Sequence, residues 1–150
     1  MGKIQVTSEI GKLKKVLLHR PGNELLNLTP DTLSRLLFDD IPYLPDAIKE
    51  HDEFANALRK HGVEVVYVED LMADVLNTSE IIREKFIRQY IFEAGIRTPK
   101  YKNFVFDYLD NITDSKKLVL KTMEGIQLSD IPRRKREVEQ SLVDLIDQED

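Results

Sequence analysis

Residues 46–70 read DAIKEHDEFANALRKHGVEVVYVED, and the change of period inside them decides how the chain folds. From Asp46 to His61, Ala47, His51, Phe54 and Leu58 recur at helical spacing, and Gly62 stands where a helix C-terminal cap is wanted. VEVVYVED then follows with enough β-branched and aromatic residues to predict a largely buried strand. Before the helix, KIQVTSEIGKLKKVLLHRPG (residues 3–22) alternates at Ile4 and Val6, breaks at Gly11 and resumes from Leu13 into Val16, Leu17 and Leu18. Two short strands are expected there, the second stopped by Arg20-Pro21-Gly22 and followed by a loop. Strand, helix, strand is an α/β order, with sheet on one side and helix on the other.

Between those strands a further helix is expected to start at Thr29-Pro30-Asp31, with Leu33, Leu36 and Leu37 on one face. It runs into LLFDD (residues 36–40), which places Asp39 and Asp40 where the helix should end. A helix C-terminus carries partial negative charge and disfavours carboxylates, so the pair needs a reason. Two readings stand open: the acids cap local amides, as Asp does readily, or they shape an electronegative rim near a cationic ligand.

Beyond Asp70 helix signals recur and no convincing strand follows. NTSEIIREKFIRQYIFEAG offers Asn77 or Thr78 as cap, Gly95 as stop, and Ile82, Phe86 and Tyr90 on one face. TPKYKNFVFDYLDN repeats the Thr-Pro start with Tyr101, Val105, Tyr108 and Leu109 as its stripe. TDSKKLVLKTMEG contributes Val119 and Met123 before Gly125, and IPRRKREVEQSLVDLIDQED carries Val138, Leu142, Leu145 and Ile146. The expected organisation is therefore α/β over residues 1–70 and all-α, a small helical bundle, over residues 71–150.

Composition narrows the function classes. The 150 residues are 41% hydrophobic and 33% charged with net charge −5, which fits a globular protein and argues against a nucleic-acid surface. Arg133 to Arg136 form a basic run, but Glu137, Glu139, Asp144, Asp147, Glu149 and Asp150 follow it, so a solvated face is the better reading. No apolar run approaches the roughly 20 residues that span a bilayer, and the start lacks a signal-peptide apolar region, so no membrane partner and a cytoplasmic location are expected. Cysteine is absent, which removes disulfides, thiolate metal sites and any thiol nucleophile from these residues. His19, His51 and His61 are dispersed, without metal-ligand spacing, and read as structural or solvated. Neither Gly11 nor Gly22 lies in a phosphate-binding pattern.

Three stretches carry a family resemblance: VTSEIGKLKKVLLHRPGNE (6–24), LTPDTLSRLLFDDIPYLPDAIKEHDEFANALRKHGVEVVYVEDL (28–71) and, more loosely, KTMEGIQ (121–127). Together they resemble the N-terminal portion of bacterial arginine deiminases, within the guanidine-modifying (pentein) superfamily. The resemblance implies the first module of an α/β propeller followed by a helical-bundle insertion domain. It also implies hydrolysis of L-arginine to L-citrulline and ammonia through a Cys covalent intermediate, in arginine catabolism toward ornithine, with no metal or other cofactor. A chain without Cys, and without the family's Asn-Leu-Tyr-Phe-Thr-Arg-Asp segment, is expected to be a fragment that lacks the catalytic Cys, His and acidic residues and is inactive alone. Among its residues the resemblance carries Leu37 over as a wall of the arginine pocket and sets Asp39 and Asp40 at the pocket edge.

Two other readings compete. One is a fragment of a related guanidine-modifying enzyme, an amidinotransferase or a dimethylarginine hydrolase, against which the long helical stretch after residue 70 argues. The other is a non-catalytic protein-interaction module. Because one propeller module leaves open sheet edges, self-association of the chain is also expected.

Overall fold

A four-rung parallel ladder organises the first part of the chain. In the computed structural model, which describes residues 4, 6, 8–28, 40–127 and 130, β1 (Lys15–Leu18) pairs with β2 (Glu64–Tyr67) from Lys15↔Glu64 to Leu18↔Tyr67. Parallel strands cannot be joined by a tight turn. The connection instead includes a short 3-10 helix, η1 (Asn23–Asn27), and the long helix α1 (Leu44–Lys60), which packs on β2 and η1. Pro45 sits in the first turn of α1, where its missing N–H costs nothing, and Gly62 at φ +77° turns the chain from helix to strand.

The described residues are mostly helical around this small sheet. After β2 come α2 (Val68–Leu76), α3 (Glu80–Glu93), α4 (Pro99–Asp110) and α5 (Ser115–Glu124). The chain divides into two compact units, Met1–Leu71 and Met72–Asp150. In the first, Ala55 and Val63 are the buried apolar residues among those described. In the second, Ile87, Ile91, Val105, Leu109, Leu118 and Val119 form one core with Leu76, and Phe86, Tyr90, Tyr108 and Met123 pack against it.

Several local expectations shift. Ile4 and Val6 are not in a strand, and both side chains are exposed. The second strand ends at Tyr67, because β1 offers no rung beyond Leu18, and Val68 to Asp70 begin α2 instead. The loop after Gly22 winds into η1. The cap of α3 is Ser79, whose hydroxyl accepts the N–H of Ile81, rather than Asn77 or Thr78. The buried face of α1 centres on Ala55, so Phe54 points outward at 55% exposure. Likewise α3 buries Arg83, Ile87 and Ile91, one position round from the face expected, while α4 buries Val105 and Leu109 of its expected stripe but leaves Tyr101 exposed. The helix expected from Thr29 and the helix expected after residue 131 lie outside the described residues.

Arg83 explains the rotation of α3. It is 7% exposed, and its Nη2 donates to the carbonyls of Asp110 at 3.1 Å and Ile112 at 2.8 Å. These carbonyls lie at and beyond the end of α4, where intrahelical donors run out, so a guanidinium there satisfies groups that would otherwise be stranded. A second tie joins Ser115, at the start of α5, to Asn77 through a 2.7 Å bond.

Leu109 has no solvent-exposed surface and lies among six buried apolar neighbours. Leu109→Ala is therefore expected to lower the stability of the helical unit by about 2–5 kcal/mol. Phe54→Ala, on an outward face, should change stability far less. Urea unfolding followed by circular dichroism checks both, and similar losses for the two variants would contradict the burial described.

Candidate functional site

Because β1 and β2 run parallel, their carboxyl ends lie at the same edge of the sheet. In open parallel sheets ligands bind beyond that edge, so the side chains gathered there are the first place to look for function. His19 and Arg20 follow the last residue of β1, and Glu69 lies two residues after the end of β2. Glu24 arrives from η1, and His51 and Asp52 from α1.

His19 is the centre of this group. Its Nδ1 lies 3.2 Å from Glu69 Oε2, and its Nε2 lies 3.1 Å from Glu24 Oε1. Glu24 Oε1 also accepts the N–H of Gly22 at 2.7 Å. Glu69 is 4% exposed and sits in the first turn of α2, where the helix N-terminus favours a carboxylate. Burial pulls the pKa of His19 down, but the hydrogen bonds to Glu69 and Glu24 and their charges outweigh it, and the net shift is upward from 6.5.

Arg20 forms a second tie. Its Nε and Nη2 donate to the two oxygens of Asp52, each at 2.8 Å, a bidentate pair that holds the Asp52 carboxyl below its ordinary value. Next to it the His51 ring meets Tyr67 at 5.9 Å between centroids, and Arg59 lies 5.9 Å from the same tyrosine ring. Buried His51 Nε2 has no hydrogen-bond partner among the described residues. No group of three or more His, Cys, Asp or Glu among the described residues is arranged to hold a metal ion. No described helix is long and apolar enough to cross a membrane.

Of the residues singled out in the sequence, Asp40 is placed by the structure. It is exposed, and its Oδ1 accepts the N–H of Ile41 at 2.7 Å, a local capping contact. Leu37 and Asp39 lie outside the described residues, as does the basic run 133–136. His61 bonds the carbonyl of Ala57 through Nδ1 at 2.8 Å, in keeping with a histidine at a helix end. The cluster around His19 is not evident from spacing, because Glu69 lies 50 positions beyond His19 although Glu24 is only 5 away. The available signal was a histidine ending one strand and a glutamate just past the other, which parallel pairing must bring together.

In the helical unit a cavity of about 420 Å³ opens between α3 and α4, lined by Ile91, Phe92, Pro99 and Phe106 with Arg88 and Lys102 at its side. The Arg88 guanidinium lies 4.6 Å from the Phe106 ring centre, a cation–π contact.

These features define a mixed protein: an α/β unit with a charged cluster at its parallel strand ends, and a separate helical unit. The arginine deiminase family model matches residues 34–148, and this chain belongs to that family. Arginine deiminase of Treponema denticola is 63% identical over 132 residues, which is 88% of this chain and 32% of that protein. Arginine deiminase of Streptococcus agalactiae is 56% identical over 144 residues, 96% of this chain and 35% of that protein. That of Streptococcus pneumoniae is 55% identical over 146 residues, 97% and 35% respectively. The chain thus spans about a third of the length of these curated relatives.

The two ties at the strand ends differ in burial, and their removal should differ in effect. Glu69→Gln leaves a part-buried imidazole nitrogen without its buried anionic partner and is expected to cost about 1–3 kcal/mol. Asp52→Asn breaks a solvent-screened pair and should cost clearly less. Thermal unfolding of both variants at pH 6 decides this, and an equal or larger loss for Asp52→Asn would contradict the assignment of His19 as the centre.

Proposed function

We propose that these 150 residues are the N-terminal part of an arginine deiminase, an enzyme that hydrolyses L-arginine to L-citrulline and ammonia in the cytoplasm. The observation that carries this is the 55–63% identity to three arginine deiminases over 88–97% of the chain. In this reading residues 1–70 are the first module of an α/β propeller and residues 71–150 a helical domain inserted after it. The parallel strand pair and the run of helices between Val68 and Glu124 support that division.

The guanidinium carbon is a weak electrophile, because its positive charge is spread over three nitrogens. A thiolate nucleophile divides the hydrolysis into two easier steps. The sulfur adds to the carbon, ammonia leaves with a proton from a general acid, and water then attacks the resulting S-alkylthiouronium carbon to release citrulline and the thiol. This chemistry needs no metal or organic cofactor. These residues contain no cysteine, so in this reading they supply binding surface and not the nucleophile. Leu37 forms an apolar wall of the arginine pocket, and Asp39 and Asp40 lie at its edge, where negative charge attracts a cationic substrate.

The same reading explains the exposed apolar side chains of the first unit. Leu17, Tyr43 and Phe54 are each more than half exposed, and each strand of a two-stranded sheet has one unpaired edge. Neighbouring propeller modules would cover such surfaces, and without them the chain associates with itself.

Exchanging the matching third of the Treponema denticola enzyme for this chain tests the proposal. The chimera is expected to make citrulline from L-arginine, and the chain alone to make none; a folded chimera without activity would overturn the reading. In the chimera, Leu37→Ala should raise KM with little change in kcat, as for a lost wall contact. Asp39→Asn should weaken arginine use more than it lowers Tm, and unchanged kinetics with a lower Tm would leave that carboxylate a capping role only. Light scattering of the isolated chain should report a dimer or larger species, and a monomer at high concentration would exclude the association.

A further inference from the structure

A neutral imidazole carries one N–H and one lone pair, whereas an imidazolium carries two N–H groups. Both ring nitrogens of His19 face carboxylate oxygens, Glu69 Oε2 at 3.2 Å and Glu24 Oε1 at 3.1 Å. Only the imidazolium can donate to both. Once one proton is lost, a nitrogen lone pair is set against a carboxylate oxygen, and one of the two contacts turns from attraction to repulsion.

The two contacts are not equally supported. Glu69 is buried in the first turn of α2, held by the helix N-terminus whatever the state of His19. Glu24 belongs to η1, a five-residue 3-10 helix that has no buried residue and no side-chain cap at Gly22. The bonds at its two ends are long, Leu25 N–H to the Gly22 carbonyl at 3.2 Å and Leu28 N–H to the Leu25 carbonyl at 3.4 Å. Such a helix is marginal by itself, so an outside anchor matters to it. Gly22 completes the arrangement: a Cβ there would come within 2.8 Å of Glu24 Oε2, so the carboxylate packs directly on the glycine.

We propose that His19 is a proton-operated latch, which in its doubly protonated form fastens η1 to the ends of β1 and β2 and on losing a proton releases η1 while leaving the β1–β2 ladder paired. Glu24 from η1 and Glu69 from α2 are the charged groups that face the ring. Arg20, next in the chain, is engaged by Asp52 of α1 and does not compete for either glutamate. The sign follows from the raised His19 value. The latch is fully closed below the ordinary histidine value of 6.5 and opens as pH rises through the higher value that the folded chain gives it. The latch goes beyond the arginine deiminase reading and does not depend on it.

Nuclear magnetic resonance of the full 150-residue chain tests this, following the His19 ring nitrogens and the backbone order parameters of residues 23–28 from pH 5 to 9. Both ring nitrogens are expected to keep the imidazolium signature to higher pH than in the urea-unfolded chain. As they lose it, the order parameters of η1 should fall from about 0.85 toward 0.6 or below, while those of β1 and β2 stay high. Glu24→Gln should lower the His19 midpoint and leave η1 loose throughout. His19→Arg, whose charge does not titrate, should keep η1 ordered across the whole range. Order parameters of η1 that do not change through the His19 titration would overturn the proposal. So would a loss of order in His19→Arg over the same pH range, since another group would then be responsible.

Discussion

The four-rung parallel ladder between β1 and β2 is the constraint on which the α/β unit depends. A parallel pair cannot close through a hairpin, so the chain must leave the end of β1, travel the length of the strand and return to its beginning. Helix α1 lies on β2 within that return, with Gly62 reversing the direction at its end. The same geometry brings His19 and Glu69 together, although 50 positions separate them. A cluster at the carboxyl edge is thus a product of strand direction, and an antiparallel pair would have sent those two residues to opposite ends.

What gathers at this edge of the unit is polar. Ala55 and Val63 supply its buried apolar side chains among the described residues, a small amount of surface removed from water. Charge-assisted bonds join the elements at this edge, and their strength follows burial. The Glu69 carboxylate, shielded and aligned with a helix N-terminus, is the firm partner, whereas the Arg20–Asp52 pair is open to solvent and salt. Imidazole is suited to the centre because it has two nitrogens on opposite sides of one rigid ring and can hold two anions apart while binding both.

The helical unit solves its folding problem in a different way. Leu76, Ile87, Ile91, Val105, Leu109, Leu118 and Val119 make a contiguous core, and polar groups serve the helix ends. Ser79 and Asp114 accept backbone N–H groups at the starts of α3 and α5, while Arg83 donates to carbonyls at the end of α4. Lys121, largely shielded beside Tyr108, is paired with Glu124 at 3.0 Å and Asp130 at 2.9 Å. Arg83 and Lys121 thus each meet carbonyls or carboxylates, as burial demands, although Arg83 Nη1 has no partner among the described residues.

The order of elements was legible in the residues alone, because periodicity and punctuation are local. Gly62, Gly95 and Gly125, each with positive φ, end α1, α3 and α5, and Pro99 opens α4. The family resemblance was equally legible, since it rests on runs such as HRPGNE and LLFDD that need no coordinates to be read. Helix phase was not. Helical spacing put Phe54 on the stripe of α1 and Ile82, Phe86 and Tyr90 on that of α3, but α1 turns Ala55 inward and α3 buries Arg83 and Ile87, with Phe86 and Tyr90 packed beside them. A small side chain lets a helix approach its neighbour closely, and a buried arginine can answer stranded carbonyls; both depend on what lies opposite. The extent of β2 was likewise set by its partner, which offers four rungs and no more. The role of His19 belongs to tertiary structure for the same reason. A ring with two carboxylates is defined by residues that meet only after the strands pair, and no window of sequence contains His19, Glu24 and Glu69 as neighbours.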